Sequence, residues 1–449
     1  MRKLIDFPYH HVLVLGLARS GTAAAKTLIR NDKKVRVNDM NASSNSEDVQ
    51  HLLEIGAEVI VGSHPLSVLD GIDLIVKNPG IPYNNAILIE AQNRRIPIVT
   101  EIEIAYQLVP GNLIGITGSN GKTTTTTLTT EMLSESMLPV KVAGNIGIVA
   151  TEAAEHLTEE ETLVLELSSF QLQGTVAFRP NIAVILNVTP AHLDYHKTLD
   201  NYKQAKFNIF KNQTEDDFLI FNADDKGILA KIPEAKAKLI PFSTKRKLET
   251  GVSIDETYIY FLEEKIIERE KIVLVGEHNL ENILAAVAAA KLLGATNAGI
   301  EKVLTTFQGV KHRLQYVGKI NGRLFYNDSK ATNMLATQNA LKSFWQPTIF
   351  LAGGLDRGDN LYELIPYLKN VKAVISFGET KEKLKEVAEE AGVPFIQYAE
   401  DVADAVEKAY AISEEKDVIL LSPACASWDQ YKTFEERGDM FVQAVHKLM

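Results

Sequence analysis

Short runs of β-branched and aliphatic residues alternate with helix-like stretches along this chain of 449 residues, and no other feature constrains its fold as strongly. The runs that we predict to be strands are residues 11–15, 73–76, 163–166, 182–186, 348–351, 371–375 and 418–421. Such alternation is typical of parallel sheets that helices connect and cover. The sequence therefore predicts an α/β fold, and its length exceeds what one hydrophobic core normally organises.

A glycine-rich loop, residues 118–124, follows one apolar run directly and reads Gly-Ser-Asn-Gly-Lys-Thr-Thr. Glycines let backbone N–H groups approach phosphates, while a lysine and a hydroxyl that follow can contact phosphoryl oxygens and magnesium. We expect Lys122 and Thr123 in these roles, at the start of a helix whose dipole favours anions. The general pattern has its first glycine where this chain has Ile116. The loop is thus a variant that predicts a nucleoside triphosphate site, and a simple glycine turn is the alternative.

Composition and charge narrow the class of protein. The content of 45% hydrophobic and 23% charged residues is ordinary for a soluble globular protein, and the net charge of -11 argues against a nucleic-acid partner. No apolar run approaches the ~18 residues that would span a bilayer, and the N-terminus lacks a signal-peptide pattern, so we expect a cytoplasmic protein without a membrane partner. The single cysteine, Cys425, cannot form an internal disulfide, and its apolar neighbours favour a buried side chain over a nucleophile.

A second loop resembles a nucleotide site. The segment Gly16-Leu-Ala-Arg-Ser-Gly21 follows the first predicted strand, and Asp39 lies 18 residues further on. This is similar to a dinucleotide fingerprint in which alanine replaces the middle glycine. A strand, turn and helix without a ligand is the alternative.

Chemically reactive side chains follow other predicted strands. Glu166 ends one strand, where a carboxylate is a candidate magnesium ligand, His192 follows the next, and Lys206 lies 14 residues beyond it. A solvated loop histidine and a surface lysine are the alternatives for the last two. Three polar loops in the last third, 325–333, 351–357 and 422–429, also follow apolar runs. Because ligands bind beyond the carboxyl ends of parallel strands, we expect these three loops to meet at one sheet edge.

We place domain boundaries near Thr100 and Val310, which gives domains of residues 1–100, 101–310 and 311–449. The charged segment 244–270 is expected to be a solvated region of strands and turns.

A series of short motifs occurs in order along the chain: Thr117-Gly-Ser-Asn-Gly-Lys-Thr123, Gly144-Asn-Ile-Gly147, Glu166-Leu-Ser-Ser-Phe-Gln-Leu172, Asn187-Val-Thr-Pro-Ala-His192, Gly276-Glu-His-Asn-Leu-Glu-Asn282, His312-Arg313, Asn327-Asp-Ser-Lys-Ala-Thr-Asn333 and Ser422-Pro-Ala-Cys-Ala-Ser427. Taken together, these motifs resemble those of the Mur ligases, ATP-dependent enzymes that join an amino acid to a UDP-N-acetylmuramoyl carrier. The shortened phosphate loop is that family's own variant. The resemblance implies a Rossmann-like first domain, a central P-loop ATPase-like domain with a mostly parallel sheet, and a Rossmann-like third domain.

The resemblance also implies site residues. For ATP these are Gly118, Ser119, Asn120, Gly121, Lys122, Thr123, Thr124, Asn279, Asn282, Arg313 and Asp328. For the uridine-linked carrier they are Leu17, Arg19, Ser20, Asp39, Gly80 and Asn145. For D-glutamate they are Lys330, Thr332, Arg357, Ser427 and Phe434. Lys122, Glu166, His192 and Lys206 would be catalytic, and Thr123, Glu166, His192 and Lys206, the last as a carbamate, would hold two magnesium ions.

The implied reaction is ligation of D-glutamate to UDP-N-acetylmuramoyl-L-alanine through an acyl phosphate, by a protein expected to be monomeric. Folylpolyglutamate synthases share the last two domains, but some 110 residues precede the phosphate loop here, which favours the Mur ligases. A nicotinamide-dependent dehydrogenase and a non-catalytic nucleotide switch are further alternatives, and both leave the three loops of the last third without a purpose.

Overall fold

Three sheets follow one another along the chain in the computed structural model, which describes residues 1–448. They confirm the predicted α/β class. The chain forms two compact units: residues 1–267 with 281–301 hold the first two sheets, and residues 268–280 with the chain from Lys302 onward hold the third.

The first sheet is parallel, with the order β3-β2-β1-β4-β5. Its elements are β1 (His11–Leu15), α1 (Arg19–Arg30), β2 (Lys34–Asp39), α2 (Glu47–Glu54), β3 (Glu58–Val61), β4 (Leu74–Lys77), α3 (Ala86–Asn93), β5 (Ile98–Val99) and α4 (Glu101–Tyr106). Helices cover both faces of β1, so its apolar residues from Val12 to Leu15 are fully buried. In such a sheet, the central strands β1 and β4 direct their following loops to the same edge.

The second sheet has the order β14-β13-β12-β11-β10-β9-β6-β8-β7 and is parallel from β7 to β12. Its elements are β6 (Leu113–Thr117), α5 (Lys122–Glu135), β7 (Val140–Gly144), α6 (Ala150–Glu155), β8 (Thr162–Glu166), α7 (Ser169–Leu172), β9 (Ile182–Ile185), α8 (Leu193–His196), α9 (Leu199–Phe207), β10 (Phe218–Asn222), α10 (Lys226–Leu229), β11 (Lys238–Ser243), β12 (Val252–Ile254), β13 (Tyr258–Phe261) and β14 (Glu264–Glu268), followed by α11 (Glu277–Leu292) and α12 (Asn297–Thr306). Because β6 lies between β8 and β9, the loops after these three strands adjoin one another.

The third sheet has the order β15-β16-β20-β17-β18-β19, with β15 antiparallel to β16 and the remaining pairs parallel. Its elements are β15 (Gln315–Ile320), β16 (Arg323–Asn327), α13 (Met334–Lys342), β17 (Thr348–Gly353), β18 (Val371–Phe377), α14 (Lys381–Glu390), β19 (Phe395–Tyr398), α15 (Val402–Ile412), β20 (Val418–Leu421) and α16 (Phe434–His446). Asn327 pairs with Leu421, which pairs with Leu351. The three polar loops of the last third therefore meet at one edge, as the sequence predicts.

The predicted strands are all present, with ends that differ by at most two residues. The segment 244–270 forms β12 to β14, the strand-and-turn region expected from its charge. No helix within residues 1–448 is long and apolar enough to cross a membrane.

Candidate functional site

The phosphate loop lies between β6 and α5, in the geometry that its sequence predicts. Gly121 caps α5 in the left-handed region at a φ of 83°. A Cβ atom on Gly121 would lie 2.0 Å from Oδ1 of Asn282, so the loop packs directly against this predicted ATP residue. The Lys122 ammonium donates to the carbonyls of Gly118 (3.0 Å) and Ser119 (3.1 Å). The loop thus presents a cation and a helix N-terminus at the carboxyl end of the sheet.

Glu166 ends β8 beside this loop. Its side chain is buried, with Oε2 accepting from the Thr123 hydroxyl at 2.9 Å and Oε1 from the Asn145 amide at 2.7 Å. Carboxylate and hydroxyl oxygens are the donors that a hard cation prefers, so this pair fits magnesium. No group of three or more His, Cys, Asp or Glu side chains is arranged to hold a metal within residues 1–448. Any ion held here would take much of its coordination from substrate oxygens or water.

Lys206 approaches the same loop from α9. Its ammonium is buried, donates to the Gly118 carbonyl at 2.8 Å and lies 4.8 Å from the ring centroid of Tyr202. Burial, followed by the neighbouring charge of Lys122, lowers the pKa of Lys206 to about 7. As an ammonium it repels a metal ion, whereas a carbamate on the same nitrogen would supply oxygen ligands. The alternative of a surface charge is wrong for Lys206, because its side chain is buried.

His192 lies between β9 and α8 and is exposed, with a left-handed φ of 53° that is uncommon for a residue with a side chain. Its ring meets the ring of Phe170 edge to face, 5.0 Å between centroids, and is tilted against Tyr202 at 6.4 Å. The hydroxyl of Tyr202 lies 2.9 Å from Oγ of Ser119. An aromatic cluster therefore connects His192 with the phosphate loop.

Four of the predicted carrier residues gather at the edge of the first sheet. The N–H of Leu17 donates to Asp39 Oδ2 at 2.7 Å. Asn78 links two others, because its amide donates to Ser20 Oγ at 3.2 Å and its Oδ1 accepts from the Gly80 N–H at 3.1 Å. Burial opposes ionisation of Asp39, but backbone N–H donors, beginning with that of Leu17, hold the pKa of its carboxyl below the ordinary value.

The other two carrier residues lie by the second sheet's edge. Arg19, at the start of α1, donates to the Gly147 carbonyl at 2.8 Å. The turn that ends at Gly147 contains Asn145, the amide partner of Glu166. Within the first unit, the predicted carrier residues thus extend from the end of β1 to the Glu166 cluster.

In the second unit, Asp328 follows β16 and is buried. It accepts from the Ser422 hydroxyl at 2.8 Å and from the Leu314 N–H at 3.1 Å, and burial raises its pKa to about 7. The predicted ATP residue Arg313 immediately precedes Leu314. Asn279 lies at the start of α11, where its amide donates to the Val275 carbonyl at 2.7 Å.

The predicted glutamate residues surround the edge formed by β16, β20 and β17. The Lys330 ammonium lies 5.4 Å from the ring centroid of Phe434, and Arg357 donates to the Thr332 carbonyl at 3.1 Å. The Ser427 hydroxyl is buried and has no hydrogen-bond partner within the described chain. Buried polar atoms are almost always satisfied in native proteins, so this hydroxyl has a hydrogen-bonding capacity that the described chain leaves unused.

Two buried cationic side chains, Lys77 and Arg437, were not identified from the sequence. Lys77, at the end of β4, donates to the carbonyls of Pro79 and Ile81, each at 3.0 Å, and to the Tyr195 hydroxyl at 3.3 Å. It thereby joins the loop that contains Gly80 to α8. Arg437, within α16, is fully buried. Cys425 is buried as predicted, and burial raises the pKa of its thiol.

The three sheets, with a phosphate loop in the second, define an α/β protein of the nucleotide-binding class, and ligase family models match its parts in order. They are the Mur ligase MurD-like N-terminal domain over residues 10–100, the Mur ligase middle domain over 116–290, and the Mur ligase glutamate ligase domain over 312–425. The chain belongs to the Mur ligase family.

Among individual proteins, the chain is 59% identical to UDP-N-acetylmuramoylalanine--D-glutamate ligase of Oceanobacillus iheyensis over 448 residues, which cover all of both chains. It is 54% identical, again over all of both chains, to the protein of that name in Bacillus thuringiensis. The solved MurF ligase of Thermotoga maritima, in complex with ADP, is 18% identical with a TM-score of 0.55, and the match covers 100% of this chain and 98% of that one. A solved UDP-N-acetylmuramoyl-L-alanyl-D-glutamate--2,6-diaminopimelate ligase gives a TM-score of 0.61 at 19% identity, covering 92% and 93% of the two chains. These likenesses establish the three-domain α/β fold.

Proposed function

We propose that this protein joins D-glutamate to UDP-N-acetylmuramoyl-L-alanine, with conversion of ATP to ADP and phosphate, in the synthesis of peptidoglycan precursors. The observation that carries this function is the 59% identity over the full length of a ligase named for that reaction. The phosphate loop beside Glu166, and the unpartnered hydroxyl of Ser427 at the sheet edge whose loops also carry Lys330 and Arg357, supply chemistry that such a reaction needs.

The substrates divide among the loops of the sheets. We assign ATP to residues 118–124 together with Asn279, Asn282, Arg313 and Asp328, and the uridine-linked carrier to Leu17, Arg19, Ser20, Asp39, Gly80 and Asn145. D-glutamate is assigned to Lys330, Thr332, Arg357, Ser427 and Phe434. An amino acid with two carboxylates needs cations and short hydroxyl donors, and Lys330, Arg357 and Ser427 provide both.

The chemistry proceeds in two displacements. An oxygen of the alanyl carboxylate attacks the γ-phosphorus of ATP, the bond to ADP breaks, and an acyl phosphate forms. The neutral amine of D-glutamate then attacks the carbonyl carbon, and the tetrahedral intermediate collapses with loss of phosphate and of the amine proton. Lys122 stabilises the charge on the transferred phosphoryl group, so the protein contributes electrostatics and positioning and no nucleophilic side chain.

Magnesium fits the oxygen donors of Thr123 and Glu166, and a second ion fits His192 and Lys206 if the lysine carries a carbamate. Bound ions would neutralise phosphate charge and reduce the repulsion between the carboxylate and the phosphoryl group. Burial and the charge of Lys122 lower the pKa of Lys206 to about 7, which favours the neutral amine, the form that would combine with carbon dioxide to give an anionic carbamate and release a proton.

We further propose that the enzyme acts as a monomer in the cytoplasm. ATP and nucleotide-linked carriers are cytoplasmic compounds, which supports this location.

Phosphate release tests the proposed function. The purified protein receives ATP, magnesium and UDP-N-acetylmuramoyl-L-alanine, together with D-glutamate, L-glutamate, L-lysine or diaminopimelate. Release with D-glutamate alone is the expected result. Phosphate release with another amino acid instead would overturn the assignment of Lys330, Thr332 and Ser427. If none of the four amino acids gives phosphate release, the proposed function is wrong.

A further inference from the structure

Arg437 is the largest fully buried side chain of the protein and projects from the first turn of α16. Its Nε donates to Ser329 Oγ at 3.1 Å, and its Nη2 donates to the carbonyls of Ser329 and Cys425, each at 3.0 Å. Its Nη1 donates to the Gly353 carbonyl at 3.3 Å. One guanidinium therefore bonds three separate stretches of chain.

These acceptors lie at the carboxyl ends of β16, β20 and β17, the three adjacent strands of the third sheet: Ser329 and Cys425 lie in the loops that follow β16 and β20, and Gly353 is the last residue of β17. Ser329 immediately precedes Lys330, and Cys425 lies two residues before Ser427. Gly353 begins the turn that leads to Arg357. Each loop that Arg437 holds thus carries a residue assigned to D-glutamate.

The helix that carries Arg437 contributes the fifth assigned residue. Phe434 begins α16, and its carbonyl accepts from the Ser329 hydroxyl at 2.7 Å. Arg437 and Ser329 together connect the loop of Lys330 to the helix of Phe434, whose ring faces the Lys330 ammonium. Two of the side chains assigned to D-glutamate, Lys330 and Phe434, are therefore placed by one buried network.

A buried guanidinium is a costly structural element, because its charge loses hydration. Its acceptors here are neutral oxygens, and no carboxylate forms an ion pair with it in the described part of the chain. Burial lowers the pKa of Arg437 to about 10, so the side chain stays charged at neutral pH. The planar guanidinium directs its donors to fixed positions, which a lysine ammonium with three donors on a flexible stem does not reproduce.

The geometry points to Arg437 as a positioning residue for D-glutamate, because it fixes the spacing of the three loops that present the cations and the hydroxyl to the amino acid. This inference rests on the proposed function. Arg437 itself need not touch substrate.

The test compares Arg437→Lys with Arg323→Lys. Arg323 begins β16 at the opposite edge of the same sheet and donates to the Ser413 hydroxyl (3.1 Å), the Ser413 carbonyl (2.8 Å) and the Asn321 carbonyl (2.7 Å), which makes it a matched control. Misplacement of binding groups by about 1 Å costs on the order of 100-fold, so we expect Arg437→Lys to raise the KM for D-glutamate about 10- to 100-fold. The KM values for ATP and for the carrier should stay within about twofold, and Arg323→Lys should leave all three KM values within that range.

An unchanged KM for D-glutamate in a folded Arg437→Lys protein would overturn the inference, as would an equal rise in the KM of all three substrates. If Arg437→Lys does not fold, the same three KM values are measured for Ser329→Ala. This substitution removes the hydroxyl that links Arg437 to the Phe434 carbonyl. A rise of several-fold that is confined to the KM for D-glutamate supports the inference, and the absence of such a rise contradicts it. Wild-type protein that releases no phosphate with D-glutamate refutes the proposed function itself, a result distinct from an active wild type with unaffected variants.

Discussion

Gly121→Ala directly tests the proposed role of the phosphate loop. Gly121 caps α5 at a φ of 83°, and a Cβ atom there would lie 2.0 Å from Oδ1 and 2.9 Å from Cγ of Asn282. Asn282 is itself buried, so it has little room to move away. The substitution therefore adds both backbone strain and a steric clash at the start of the helix that faces the phosphates.

The two costs can be estimated separately. A left-handed conformation costs a residue with a Cβ atom about 1–2 kcal/mol, and inserting an atom into a packed position costs typically about 1–3 kcal/mol. Together they come to about 2–5 kcal/mol. We expect the loop of the free variant to relax away from its native backbone. ATP binding requires the native backbone, so the strain and the clash reduce the binding free energy of ATP. At about 1.4 kcal/mol per factor of ten, ATP affinity should weaken by roughly 30-fold to a few thousand-fold.

Gly294→Ala is the matched control, because Gly294 has a φ of 90° in the turn after α11 with nothing within 4 Å of an added Cβ. It carries the strain without the clash and should lose about 1–2 kcal/mol of unfolding free energy with little change in ATP affinity. Calorimetric titration with ATP and thermal unfolding of both variants would separate the two costs. A folded Gly121→Ala protein that binds ATP as tightly as the wild type would refute the assignment of this loop.

Three further outcomes are expected. Lys122→Ala should lower turnover by at least about 100-fold while the thermal transition stays at the wild-type temperature, because its ammonium acts on the transferred phosphoryl group; near-normal turnover in a kinetic assay would contradict this. Lys206→Ala should be nearly inactive and partly rescued by small carboxylic acids that replace the carbamate, whereas Lys203→Ala on the same helix should stay active; wild-type activity of Lys206→Ala would remove Lys206 from the metal site. Burial raises the pKa of Glu101 to about 7 from an ordinary 4.5, and its carboxyl accepts from the Thr151 N–H. The native state therefore favours the protonated acid, so the free energy of unfolding should fall as the pH rises from about 4.5 to about 7, and Glu101→Gln should flatten that fall in denaturant titrations.

The sequence predicted the parts of the site that follow strands. The rule that ligands bind beyond the carboxyl ends of parallel strands needs only the position of each apolar run, and it located Glu166 and the loops after β16, β17 and β20. It could not give the order of strands, because β20 enters the third sheet between β16 and β17 although it is last in the chain. That order depends on packing between distant segments and leaves no local signature.

Buried cations were the second kind of residue that the sequence could not identify. Lys77 and Arg437 each stand beside polar residues, where a surface position is the ordinary expectation for a charged side chain. Their burial becomes intelligible only when the carbonyls that accept from them are known, as at Pro79 for Lys77 and at Gly353 for Arg437. The local sequence around Lys206 did not indicate its burial either, and only the resemblance to the Mur ligases pointed to this lysine.

Transfer of oxygen from the carrier to phosphate tests the central claim most directly. UDP-N-acetylmuramoyl-L-alanine labelled with ¹⁸O at both carboxylate oxygens is incubated with the enzyme, ATP, magnesium and D-glutamate, and the products are analysed by mass spectrometry. An acyl phosphate intermediate predicts one ¹⁸O atom in the released phosphate and one in the new amide, within a product that contains one glutamate residue more than the carrier and retains only one of its two ¹⁸O atoms. Unlabelled phosphate, or labelled phosphate without a glutamate-containing product, would contradict the account.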